Sequence, residues 1–151
     1  ASCLVGSEMC IRDRKNSKGD QPMKVLMLNG SPRKDGNTSI AVLDRLFYSS
    51  HFDETMKVGA SVVCARRGGC SATFDELNKY FTISNMPIAS SQYWNSIHGR
   101  AQGEAEMDEE GKQTMRVLAR NMVFLMKSIA LGKEKFGLPE TEERVATHFI
   151  R

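Results

Sequence analysis

An α/β fold on a parallel sheet is predicted by two features of the chain. Short apolar runs of strand character alternate with segments of helical periodicity. The runs are almost continuously apolar, as strands covered on both faces are, with no in–out alternation. About three strands are expected: Lys24–Asn29, Val58–Ala65 and Met86–Trp94.

The first strand, "KVLMLN", breaks at Gly30 into the small polar loop "GSPRKDG". Asn37 or Thr38 then suits a helix N-cap. Behind it Ile40, Leu43, Leu46 and Phe47 share one helical face. Residues 51–57 form a polar linker into "VGASVVCA", the second strand. "RRGGCS" turns the chain into a helix, "ATFDELNKYFTI", with Phe74, Leu77, Tyr80 and Phe81 in register. Thr73 and Glu76 have the spacing of a capping box at its start. "MPIASSQYW" is the third strand, weakened at its beginning by Pro87. Gly99–Gly111 reads as an irregular acidic surface loop, with "EAEMDEE" solvated. From Lys112 a long helix repeats Met115, Leu118, Met122, Leu125 and Ile129, and Gly132 or Gly137 followed by Pro139 ends it. The terminal "HFIR" offers Phe149 and Ile150 for docking against the body.

Composition narrows the function classes. The chain has 151 residues, 40% hydrophobic and 26% charged, which suits one globular domain. Its net charge of +3 is scattered, with no basic stripe, which argues against a nucleic-acid surface. No apolar run is long enough to span a bilayer. Cys3, Cys10, Cys64 and Cys70 make no C-x-x-C pair and have no histidine at zinc spacing. With no secretory signal pattern, a reducing cytoplasm with free thiols is the expected setting. Residues 1–22 lack periodicity, and "CLVGSEMCIRDR" looks like translated adapter sequence. They are expected to be a non-native or disordered extension, with the domain running over 23–151.

A strand, a small polar loop and a helix N-terminus together make an anion site, because loop N–H groups converge where the helix dipole is positive. Ser31, Asn37 and Thr38 add donors, Arg33 or Lys34 adds charge, and Gly36 permits the turn. The triphosphate loop G-x-x-x-x-G-K-[ST] is absent, since Asn37 stands where lysine is needed. The dinucleotide fingerprint is absent too. A single terminal phosphate fits better, and an ordinary strand-to-helix connection is the bland alternative.

At "MKVLMLNGSPRKDGNTS" the chain resembles the flavodoxin-like NAD(P)H-dependent FMN reductases. "LDRLFY", "VVCARRGGCSATFDELNKYFTISNMPIASSQYWN", "QTMRVLARNMVFLMKSI" and "FIR" extend that resemblance over 23–151. It implies a three-layer α/β/α fold in which Ser31, Arg33, Asn37 and Thr38 grip the FMN phosphate and Gly36 shapes the loop. It implies hydride transfer from NADH or NADPH to FMN, then electrons to a small-molecule acceptor such as a quinone, free flavin or metal centre. It also implies a homodimer, which in this family often completes the flavin pocket.

One departure from the family is large. The chain passes from "NTSIA" directly into "VLDRLFY", as if joined near Ala41–Val42, so that a strand, a helix and the strand with the central ring-binding loop are missing. The lost third strand would sit beside the first, at the switch point where ligands bind. Exposed apolar surface, lower stability and a tendency to associate are expected. A catalytically inactive remnant, or a simple phosphate-binding module, are the rival functions.

"ARRGG", Ala65–Gly69, stands where the family's last flavin-contacting loop stands. Gly68 and Gly69 allow close approach to a flat ring, and Arg66 or Arg67 can stabilise negative charge on its N1–C2=O edge; a solvated basic turn is the alternative. Cys64 and Cys70 read as buried or incidental thiols, with no activating base besides the arginines. His51, His98 and His148 read as isolated. Tyr93 and Trp94 suit a flavin, a partner subunit or the core.

Overall fold

The computed structural model describes residues 43–48, 53–143 and 145–150. The unit Asp44–Arg151 is mixed α/β, with two α-helices and a small parallel sheet of two strands among the described residues. The predicted first strand, Lys24–Asn29, and the join near Ala41–Val42 lie outside the described residues. Among the described residues, no helix is long and apolar enough to cross a membrane.

The expected second and third strands pair with each other, but over less of their length than the apolar runs suggest. A single parallel bridge joins Gly59 to Ile88, with Gly59 N donating to Pro87 O and Ala89 N to Gly59 O, each at 2.9 Å. Proline is tolerated here because only its carbonyl is used. Regular pairing then resumes between β1, Val63–Ala65, and β2, Ser96–His98. From the bridge to the ladder the chain advances four residues on one side, Gly59 to Val63, and eight on the other, Ile88 to Ser96. The surplus, starting at Ser90, bulges out as a loop, so "SSQYW" is not strand and β2 begins after it.

Two amides hold the gap together. Ser61 Oγ donates to Asn78 Oδ1 at 2.7 Å, while Ser61 O accepts from Asn95 Nδ2 at 3.0 Å. Asn95 Oδ1 also accepts from Ser91 Oγ at 2.7 Å, which ties down the bulge. Ser61 and Asn95 are both buried, so the missing ladder bonds are replaced rather than left open.

Helix α1, Cys70–Ile83, turns the predicted face inward: Phe74, Leu77, Tyr80 and Phe81 are all half-buried. It packs on β1 and on a π-helical turn, Asp44–Tyr48. Phe47 meets Tyr80 and Phe81 with ring centroids 5.7 and 5.8 Å apart, and Tyr80 Oη donates to Asp44 Oδ1 at 2.8 Å. Gly59 lies directly under this cluster; a Cβ there would come within 2.6 Å of the Phe81 ring. The predicted capping box is not formed. Gly69 caps α1 without a side chain, Thr73 Oγ1 donates back to Gly69 O at 3.0 Å, and Glu76 pairs with Lys79.

Helix α2, Glu109–Phe136, starts three residues before the predicted Lys112 because Asp108 caps it, accepting from Gly111 N at 2.9 Å. It ends at Gly137, one of the two expected glycines. Its 28 residues extend about 42 Å, far beyond a sheet of two short strands. Only Gly111, Thr114 and Leu118, near its start, are buried; Phe124, Leu131 and Phe136 are exposed. The predicted exposed apolar surface is therefore present. The predicted docking of "HFIR" is not, since Phe149 and Ile150 are both exposed.

Candidate functional site

In a parallel sheet, ligands collect beyond the carboxyl ends of the strands, where loops enter helix N-termini. Ala65 and His98 are register partners at those ends of β1 and β2. From Ala65, which is half-buried, the chain runs through exposed Arg66, Arg67, Gly68 and Gly69 into α1. Gly69 has φ of 95°, a left-handed conformation that glycine adopts without strain. A Cβ built on Gly68 or Gly69 would meet nothing within 4 Å, so the backbone there is bare. The absence of a side-chain cap leaves the first-turn N–H groups of α1 pointing outward with partial positive charge. Arg66 and Arg67 make no ion pair among the described residues.

The phosphate half of the predicted site, Ser31, Arg33, Gly36, Asn37 and Thr38, lies outside the described residues. Tyr93 and Trp94 lie in the bulge before β2, half-exposed and 4.8 Å apart between ring centroids, so they are not core.

The segment after β2 is ordered by its acids and is not the irregular loop that its composition predicts. Glu104 Oε2 accepts from Arg100 N at 2.5 Å and Ala101 N at 2.9 Å, and the chain forms a 3₁₀ turn, Glu104–Met107. Gly99 is needed where this turn returns, since a Cβ would approach Ala105 N to 2.8 Å. Asp108 spans two elements, with Oδ1 on Gly111 N of α2 and Oδ2 on His98 N of β2 at 2.7 Å.

His98 is not isolated. Its Nε2 stands 3.6 Å from Cys70 Sγ, and its Nδ1 stands 3.8 Å from Asp108 Oδ2. Cys70, the first residue of α1, is buried, whereas Cys64 is exposed. Burial, and secondarily the neighbouring Cys64, push the Cys70 thiol above its ordinary pKa. The reading of Cys70 as a thiol without a base is therefore corrected. Sequence spacing gave no signal for this pair, because His98 follows Cys70 by 28 residues and meets it only through strand register. Among the described residues no cluster of three acidic, histidine or cysteine side chains is arranged to hold a metal.

The Asp108 carboxyl is held below the usual carboxylate range, first by the Gly111 N–H and then by the His98 N–H. A depressed native pKa adds stability that is complete above the unfolded value, near about 4, and is lost as pH falls through the lower native value. The urea midpoint should accordingly drop on acidification from about pH 6 to about pH 3. Asp108→Asn keeps a capping oxygen but has no carboxylate to protonate, and it should flatten part of that drop. An acid limb identical in the two proteins would remove Asp108 from the account.

No family model, curated protein or solved structure matches this chain.

Proposed function

We propose that the chain is an FMN-dependent oxidoreductase of flavodoxin-like fold, taking hydride from NADH or NADPH and passing electrons to a small acceptor such as a quinone or free flavin. It would work as a homodimer in a reducing cytoplasm. One observation carries the reading: the bare Gly68–Gly69 backbone at the carboxyl end of β1, opening into an uncapped helix N-terminus beside Arg66 and Arg67. These residues fit one edge of a flat anionic ring. Backbone at Ala65, Gly68 and Gly69 would lie against it, while Arg66, Arg67 and the α1 dipole would favour negative charge on its N1–C2=O edge. By the resemblance, Ser31, Arg33, Asn37 and Thr38 would hold the phosphate on the loop shaped by Gly36. FMN itself supplies the hydride and electron chemistry when bound, so the chain need only bind, orient and shield.

A second reading, an inactive remnant of the same fold, is favoured by the two short strands and by the exposed Phe124, Leu131 and Phe136. Titrating the full chain with FMN and recording the visible spectrum separates the two. The enzyme reading expects a yellow complex that NADH or NADPH bleaches. It also expects the double variant Arg66→Ala, Arg67→Ala to bind FMN about tenfold more weakly, equivalent to ~1.4 kcal/mol. A chain that stays colourless at high FMN is the remnant.

A further inference from the structure

We propose that Cys70 is a thiol-modification site, a cysteine that His98 deprotonates for attack on small disulfides, leaving a mixed disulfide on the chain. The reading does not depend on flavin binding.

Three segments converge to make the site. Cys70 opens α1, His98 ends β2 and Asp108 caps α2. A buried thiol in apolar surroundings is normally inert, because only the thiolate attacks and burial disfavours it. Here the proton has somewhere to go. Nε2 of His98 lies 3.6 Å from Sγ, within reach for sulfur. For Nε2 to accept, the ring proton must sit on Nδ1, and Asp108 Oδ2 lies 3.8 Å from that atom. A carboxylate there favours this tautomer and steadies the imidazolium that forms. Asp108 cannot easily swing away, since its two oxygens are fixed by the N–H groups of Gly111 and His98. The first turn of α1 adds partial positive charge beside the developing thiolate.

Access is over the glycines. Cys70 is 9% exposed, and the open space over Gly68 and Gly69 adjoins it in sequence. In the step itself the thiol proton passes from Sγ to Nε2, and Sγ attacks one sulfur of the small disulfide. The S–S bond breaks, its electron pair leaves on the other sulfur, and that thiolate takes the proton from Nε2. One protein thiol and one disulfide become one mixed disulfide and one small thiol, with no other oxidant needed. Exposure alone would select Cys64, whose thiol bonds to none of the described residues; the base selects Cys70.

The test uses the full chain with Cys3, Cys10 and Cys64 changed to serine and dithiodipyridine as the disulfide, followed by release of its thione and by intact mass. Folded Cys70 should react at least as fast as the same thiol in the guanidinium-unfolded chain. His98→Gln should slow the folded reaction about tenfold or more. In His98→Ala, added imidazole should restore part of the loss. Neither change should unfold the chain, because Asp108 binds the backbone N–H of residue 98 and the ring is half-exposed; circular dichroism checks this. Equal rates for the parent and His98→Gln would overturn the proposal, as would a loss in His98→Ala that imidazole does not restore.

Discussion

Leu118→Ala should lower the free energy of unfolding by about 2–5 kcal/mol, read as a drop in urea midpoint at constant slope. Four apolar residues are buried among those described: Val63, Cys70, Ala89 and Leu118. Leu118 is the largest of them, is 4% exposed, and belongs to α2, which packs on β2. Truncating it removes transfer free energy and leaves a cavity that a two-stranded sheet has few side chains to refill. A domain of ordinary stability holds only about 5–15 kcal/mol in total, so the variant should be partly unfolded near physiological temperature. Phe124→Ala is the control. Phe124 is 73% exposed on the same helix, and its loss should change stability by no more than about 0.5 kcal/mol. If the two variants were equally damaging, the side of α2 that carries Phe124 would be covered by something else.

That contrast marks where sequence periodicity is informative. The repeat Met115, Leu118, Met122, Leu125 and Ile129 identifies the inward face of α2 correctly, since each is buried or half-buried. Periodicity cannot say how far the rest of the fold reaches along that face, and Phe136, which continues it past Ile129, is exposed; Phe124 and Leu131 lie on the opposite side of the helix. Helix α1 was legible for the same reason, through Phe74, Leu77, Tyr80 and Phe81. Its cap was not, because Thr73 is already inside the helix and Gly69 supplies the left-handed turn.

The strands were legible as apolar runs but not as pairings. Register is set by which backbone groups meet, and the surplus residues at Ser90–Tyr93 have no signature in an apolar pattern. The acids of "EAEMDEE" misled for a different reason. Charge alone implies solvation, whereas the oxygens of Glu104 and Asp108 accept from backbone N–H groups. The Ala65–Gly69 turn was visible because strand, paired glycines and helix are contiguous in the chain. The Cys70–His98–Asp108 group was not, because its members become neighbours only after β1 and β2 pair.

Asn95→Asp should be the most damaging isosteric change in the described fold, costing about 3 kcal/mol or more at neutral pH. Asn95 is 1% exposed, and its Nδ2 donates to Ser61 O. A carboxylate oxygen in that place faces a carbonyl 3.0 Å away and has no donor to offer it. Only the bond from Ser91 Oγ to the other oxygen survives. Burial should raise the native pKa of the new acid above its unfolded value of about 4. The native state then binds the proton more tightly, so the loss is absent below the unfolded pKa and grows as pH rises towards the native one. Urea midpoints should therefore converge with the parent near about pH 3 and separate near about pH 7. Asn95→Ala, which removes the donor without adding charge, should cost about 1–3 kcal/mol at both. A pH-independent loss in Asn95→Asp would mean the site is wet. The consequence reaches the thiol site as well. Val63 N donates to Asn95 O and β2 starts at the next residue, so Asn95 fixes the register that sets His98 against Ala65 and brings it to Cys70. At neutral pH the Asn95→Asp variant should lose the fast disulfide reaction together with its stability.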